Sequence, residues 1–245
     1  MKRPNHPMER RCTSNLAADL GRISYDECLE LQHRLVSLRR TDQVGNILLF
    51  LEHGPVYTIG RKADPANYPE INVTRTERGG DVTYHGPGQL VVYVVFRVER
   101  DGRMDVRRFV SDVSQSFVQA LRSSGFDAEE GKEEPGIWIN HGGRKKVGSV
   151  GMAIDHGVSY HGVSLNLTEE TLERFRKIRP CGMDPSVMWY VDVPRTDIIA
   201  KLLEELGSRF GKFIMVSRSE LEILSNLPVD APDPLADPKT DVSHN

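Results

Sequence analysis

Cysteine is scarce in this 245-residue chain: there are three, Cys12, Cys28 and Cys181, widely spaced and with no Cys-x-x-Cys pair. An odd, scattered set argues against a disulfide framework and a zinc site, and fits a reducing cytoplasm. Long apolar runs are missing as well, and no stretch approaches the roughly 20 residues that a membrane helix needs. Behind the first residues, Met1-Lys2-Arg3-Pro4-Asn5-His6-Pro7, no apolar segment follows, so a secretory leader is not expected. Nor is there a surplus of positive charge. The net charge is −3, and four aspartates against one lysine after Leu227 account for all of it. Neither nucleic acid nor a membrane is therefore an expected partner.

The same tail is rich in proline (Pro228, Pro232, Pro234, Pro238) and lacks periodicity. Disorder is expected over 228–245, and over 1–14 by the same reasoning. What remains, 15–227, shows no repeat and no internal linker, so one domain is expected. Ser24-Tyr25-Asp26-Glu27 has the form of a capping box. Cys28, Leu31, Leu35 and Leu38 then recur at helical spacing, predicting a helix over 25–39 with Cys28 in its core stripe. A second helix is predicted over 106–123, with Asp105 as N-cap and Gly125 as stop. Strands are expected at 46–52, 56–59 and 90–96, the last apolar enough to be buried on both faces. Strands at 136–140, 145–154 and 158–167, separated by glycine turns, predict two antiparallel hairpins. Short helices are expected at 168–177, 196–209 and 218–225. The order predicts an α+β fold: a mixed, largely antiparallel sheet covered by helices.

Two places carry the chemistry. The first is Arg78-Gly79-Gly80-Asp81-Val82-Thr83-Tyr84-His85-Gly86-Pro87-Gly88-Gln89, whose four glycines let backbone N–H groups approach a ligand closely. The second is Cys181, set between Pro180 and Gly182, which forbid a regular helix or central strand and place the thiol on a shaped loop. A structural cysteine usually sits in a periodic apolar element, and this one does not; on that context a reactive role and a structural one remain open. A free thiol needs activation. Arg174, Arg176, Lys177 and Arg179 lie just before it, with a solvated helix face as the plain explanation. Lys146 is the better candidate: simple alternation puts it on one face with Gly148, Val150, Met152 and Ile154, and sends Lys145 the other way.

These segments resemble the octanoyltransferases, or lipoyl(octanoyl) transferases, of the biotin/lipoate protein ligase fold group. The resemblance rests on the glycine-rich string, on His53-Gly54-Pro55-Val56-Tyr57-Thr58-Ile59-Gly60-Arg61, on His161-Gly162-Val163-Ser164-Leu165-Asn166 and on Pro180-Cys181-Gly182, and spans about Leu20 to Gly211. It implies a biotin/lipoate protein ligase-like fold, with Cys181 as acyl-thioester nucleophile and Lys146 as the lysine that activates it and relays protons. It further implies an octanoyl pocket at Arg78–His85, Ser149-Val150-Gly151 and Gly162-Val163-Ser164. Octanoyl-acyl carrier protein would be the donor, and the acceptor a lysine of an apo-lipoyl domain, from a 2-oxoacid dehydrogenase or a glycine-cleavage carrier protein. No ATP, metal or other cofactor would be needed, and a monomer in the cytoplasm is expected. Asp81 departs from the pattern, which calls for Lys or Gln there. Gly86, Gly88 and residues near Cys181 are candidate oxyanion donors. His85 is open between orienting Lys146, lining the pocket and assisting proton transfer; His161 is open between structure and catalysis. Two other readings compete: an ATP-dependent lipoate or biotin ligase, and a non-catalytic acyl-carrier-binding module.

Overall fold

The computed structural model describes residues 14–100 and 103–229. The expected disorder of the two termini falls on residues outside that range, except at its inner margins. There Ser14 leads into a strand, and the Pro228 carbonyl accepts a hydrogen bond from Gln43 Nε2 at 2.9 Å.

In chain order the elements are β1 (Asn15–Ile23), α1 (Tyr25–Arg40), β2 (Ile47–His53), β3 (Val56–Ile59), β4 (Thr74–Arg75), β5 (Val82–His85), β6 (Gln89–Val95), β7 (Glu99–Arg100), β8 (Arg103–Met104), α2 (Val106–Arg122), β9 (Ala128–Glu130), β10 (Ile137–Asn140), β11 (Arg144–Asp155), β12 (Val158–Asn166), α3 (Glu170–Phe175), α4 (Arg195–Phe210), β13 (Phe213–Val216) and α5 (Arg218–Ser225). Eight strands form one sheet in the order β13-β1-β2-β6-β12-β11-β10-β9. Only β13–β1 and β1–β2 are parallel; the five remaining pairs are antiparallel. The α+β expectation of a mixed, mostly antiparallel sheet is met. A three-stranded sheet, β4-β3-β5, and the β7–β8 ribbon lie apart from it.

The place of β6 in the sheet explains its apolar run from Leu90 onward. Leu90, Val92 and Val94 enter a core with α2 and α4 on one face, and Val91, Tyr93 and Val95 enter a second core with α1 on the other. α1 begins where Ser24 accepts from the Glu27 N–H at 3.2 Å, but only half of the predicted box forms. Glu27 does not reach back; its carboxylate accepts from Arg218 Nη2 at 2.7 Å and ties α1 to α5. Both halves of a capping box form instead at α5, between Ser217 and Glu220. Asp105 caps α2 as expected, accepting from the Arg108 N–H at 2.9 Å. Cys28 is fully buried in the second core, where burial pushes its thiol up, out of reach of chemistry.

One local prediction about β11 fails for an identifiable reason. Lys146 pairs with Trp138 and Gly148 pairs with the adjacent Ile137, so the strand bulges at Val147. The extra residue reverses the alternation, and Lys146 faces away from Gly148 rather than with it. Lys146 is nonetheless the buried member of the pair, while Lys145 reaches outward to the Ser186 carbonyl at 2.9 Å.

Candidate active site

A cavity of about 890 Å³ opens between the large sheet, the glycine-rich loop and the Cys181 turn. Both candidate catalytic residues line it, as do Arg78, Gly79, Gly80, Asp81, Val82, Thr83, His85, Ser149, Val150, Gly151, Gly162, Val163 and Ser164. Tyr84 is the exception. Alternation along β5 turns it away from the cavity, into a small third core with Phe175 and Ile178 and against Tyr57.

Cys181 is exposed, on a single 3₁₀ turn, Pro180–Gly182, with φ 55° and ψ 32°. A left-handed conformation at a non-glycine residue costs on the order of 1–3 kcal/mol and persists only where its surroundings impose it. Lys146 is 2% exposed, and burial holds its ammonium below the usual lysine range, partly offset by Cys181 and Glu134. Gly136 makes room for it: a Cβ there would stand 2.5 Å from Lys146 Cε and 2.8 Å from the Gly148 carbonyl.

Arg78 is the second buried cation. Its guanidinium donates to the Thr58 carbonyl at 2.6 Å, to Thr58 Oγ1 at 2.9 Å and to the Gly79 carbonyl at 3.1 Å. Burial depresses its pKa, and the charges that oppose the shift come from Tyr25, Tyr93, Cys181 and Asp81. Two cations, Arg78 and Lys146, thus direct positive potential at one thiol. Gly151 leaves space for the Arg78 side chain, 3.2 Å from where a Cβ would lie, whereas at Gly162 a Cβ would strike the Val92 carbonyl at 2.1 Å. The first glycine shapes the cavity and the second permits close strand packing.

The hydrogen bonds fix the state of two histidines. Gln89 Nε2 donates to the Tyr84 carbonyl at 3.2 Å and to Asn166 Oδ1 at 2.9 Å, so Gln89 Oε1 faces His85 Nδ1 as an acceptor at 2.7 Å. His85 therefore carries its proton on Nδ1 and leaves Nε2 unprotonated, as an acceptor. Asn166 Nδ2 donates in turn to the Trp189 carbonyl at 2.9 Å, and the Trp189 N–H to the Lys146 carbonyl at 2.8 Å. His53 donates from Nδ1 to the Ile23 carbonyl at 2.9 Å and accepts the Tyr93 hydroxyl at 2.8 Å. Burial, reinforced by neighbouring histidines and Arg78, lowers His85 and His161 to about 3, so both are neutral. His161 Nε2 lies 3.8 Å from Glu77 Oε2, an oxygen buried without a hydrogen-bond partner, yet burial and the Arg78 charge keep the imidazole neutral.

The candidate oxyanion glycines do not suit that role. Gly86 and Gly88 lie outside the cavity lining, and the Gly88 N–H donates to Glu52 Oε2 at 3.0 Å. Residues the motifs did not flag complete the wall: Tyr25 beside His85, Glu77 and Tyr93 beside His161, and Asp64 and Asn67. Tyr25 and Tyr93 read as ordinary core positions in a helix and a buried strand, and no local pattern marks them otherwise. Among the described residues no group of three His, Cys, Asp or Glu could hold a metal ion, and no helix is long and apolar enough to cross a membrane.

The sequence profile of the lipoyl protein ligase A/B catalytic domain matches residues 24–205. The chain belongs to that family. Within the lipoyl protein ligase A/B family it is similar to curated octanoyltransferases. That of Dictyoglomus thermophilum is 35% identical over 222 residues, covering 84% of this chain and 92% of the relative. That of Methylococcus capsulatus is 36% identical over 200 residues, covering 77% and 94%. Among solved structures, lipoate-protein ligase A bound with ATP superposes with a TM-score of 0.64 at 17% identity, over 87% of this chain and 92% of that one. A bipartite lipoate protein ligase from Thermoplasma acidophilum gives 0.61 at 17%, over 87% and 90%. At such identities the structural likeness establishes the lipoate-ligase fold alone.

Proposed function

We propose that this family member is an octanoyltransferase that moves octanoyl from an acyl carrier protein to a lysine of an apo-lipoyl domain through an acyl-Cys181 thioester. The observation that carries the reading is the exposed Cys181 on its left-handed turn, lining one cavity with a buried lysine and a buried arginine. The names of the curated relatives support the same acyl group.

In the first half-reaction the Cys181 thiolate attacks the donor thioester carbon. The carrier thiolate leaves and takes a proton from the Lys146 ammonium, which burial makes readier to give it up. Neutral Lys146 then accepts a proton from the acceptor amine as that nitrogen attacks the acyl-Cys181 carbon. An amide forms, Cys181 leaves as thiolate, and the dyad is restored. Exchange of thioesters is nearly energy-neutral and aminolysis is downhill, so no ATP, metal or other cofactor enters. The cavity wall beside Ser149-Val150-Gly151 would take the alkyl chain, at about 0.8 kcal/mol per buried methylene.

Acidic carrier and lipoyl domains would meet the exposed cations Arg174, Arg176, Lys177 and Arg179 next to the Cys181 turn. Arg97 suits docking less well, because it is engaged with the Arg39 and Arg40 carbonyls and the Asp42 carboxylate. The acceptor would belong to a 2-oxoacid dehydrogenase or a glycine-cleavage carrier. We place the protein, as a monomer, in a reducing cytoplasm where Cys181 stays free.

A second reading, an ATP-dependent lipoate ligase, is favoured by the fold neighbours alone. Intact-protein mass spectrometry with octanoyl-acyl carrier protein and no ATP separates them. The expected result is an octanoyl increment that is lost in Cys181→Ala and passes to an apo-lipoyl domain. Acceptor modification only with free octanoate and ATP would make the chain a ligase.

A further inference from the structure

The Asp81 carboxylate is buried, and each of its oxygens accepts a hydrogen bond. Oδ1 accepts the Asp64 N–H at 3.1 Å, and Oδ2 accepts a hydrogen bond from Asn67 Nδ2. Asp64 and Asn67 bound the short turn Pro65–Asn67, which Asp64 also caps through the Ala66 N–H at 2.9 Å. The Asn67 carbonyl then accepts the N–H of Arg179 at 2.8 Å, and the Arg179 carbonyl accepts the N–H of Gly182 at 3.0 Å. A continuous series of hydrogen bonds therefore runs from Asp81 to both sides of Cys181. Its far end is anchored: the Asp81 carbonyl accepts from the Gly60 N–H at 3.3 Å, and the Gly80 carbonyl from the Lys62 N–H at 3.1 Å.

We propose that Asp81 is a positioning residue that acts through Asn67 to hold the Cys181 turn in its left-handed form, with the thiol presented to the cavity. The turn needs an external hold. Its own closure, Gly182 to Arg179 and Met183 to Pro180, is local and leaves its orientation on the body of the protein undetermined. Asn67 supplies the hydrogen-bonded link from the glycine-rich loop to the turn, alongside the packing of β5 against it. Asp81 thus links the loop that shapes the acyl cavity to the loop that carries the nucleophile. Displacement of a reacting group by about 1 Å costs on the order of a hundredfold in rate, so a single side-chain pair at this joint matters.

The inference rests on the reading of Cys181 as nucleophile, and the test separates the two. Asn67→Asp sets two carboxylates against each other. Asp81→Asn added to it re-forms the pair with donor and acceptor exchanged, while an amide oxygen still accepts from the Asp64 N–H. Octanoyl-Cys181 formation from octanoyl-acyl carrier protein is followed at saturating donor, together with the rate of Cys181 alkylation by iodoacetamide and the thermal midpoint. Asn67→Asp and Asp81→Ala are expected to acylate about ten to a hundredfold more slowly at saturating donor, and to alkylate more slowly as the thiol leaves Lys146 and Arg78. The double variant is expected to return to near the parental rates. Single variants at parental rates, or a double variant with no recovery, would overturn the proposal. If the parent takes up no octanoyl group, the transferase reading fails, while the alkylation series still decides the role of Asp81.

Discussion

Lys146 bears a desolvation cost. A lysine 2% exposed, 5.7 Å from the centre of the Trp138 ring, has lost most of its hydration. Its depressed pKa means that the folded state releases the proton sooner than the unfolded chain does. The sign follows: below the folded pKa both states are charged and the fold bears the full desolvation cost, which fades as pH climbs toward 10.5. Lys146→Met is therefore expected to abolish transfer yet raise stability at neutral pH by on the order of 1 kcal/mol. That advantage should shrink in alkaline buffer. Urea unfolding at pH 7 and pH 10 checks both parts, and a variant less stable than the parent at pH 7 would contradict the argument. Arg78 differs because Thr58 and Gly79 satisfy its donors.

At the scale of elements, β11 shows what sequence can and cannot reveal. The twelve-residue strand and its two hairpins follow from alternation and glycine turns, and β6 from an unbroken apolar run. The bulge at Val147 follows from neither, because it depends on which residue of β10 lies opposite. β1 escaped for a related reason: its register shifts between Asp19 and Gly21, so Leu16, Ala18, Leu20 and Ile23 do not keep a two-residue period into the core. β9 and β13 are too short to carry a pattern. In the candidate site, glycines and the Pro-Cys-Gly turn were legible because strained or close-packed backbone needs particular residue types. Tyr25, Tyr93 and Asn67 were not, since only tertiary packing turns them toward the cavity. Gly136 on the approach to β10 tests the bulge directly. Gly136→Ala would drive a methyl group into Lys146 Cε and the Gly148 carbonyl. Overpacking of this kind costs about 1–3 kcal/mol. The expected outcome is a lower melting temperature with a larger loss of acylation at saturating donor. By contrast Ser217→Ala, which removes the distant α5 cap, should cost about 1 kcal/mol and leave acylation unchanged.

The whole molecule is a sheet with a core on each face, and its candidate site is cut into it so that the cavity wall is also core. Arg78, His85 and His161 are buried in that wall beside Tyr25 and Tyr93, and buried His53 packs against Tyr25, His85 and Tyr93 without lining the cavity. The arrangement couples function to acid stability. His85 and His161 titrate at about 3 in the fold and near 6.5 in an unfolded chain, and His53 is also lowered by burial. Between those limits the unfolded state binds more protons, so these groups contribute their full stability above pH 6.5 and lose it as pH falls toward 3. The slope is about 1.4 kcal/mol per pH unit for each histidine held fully neutral. Because Arg78 stands beside His85 and His161 and cannot lose its charge, protonation of either histidine adds repulsion in a region that excludes water. Thermal midpoints at pH 7.5, 6, 5 and 4 should therefore fall progressively below pH 6.5. His161→Asn should flatten that fall, since asparagine tolerates the left-handed φ of 57° and cannot take up a proton in this range. A variant as acid-sensitive as the parent would show that His161 does not contribute and that other groups, His85 and His53 among them, set the limit.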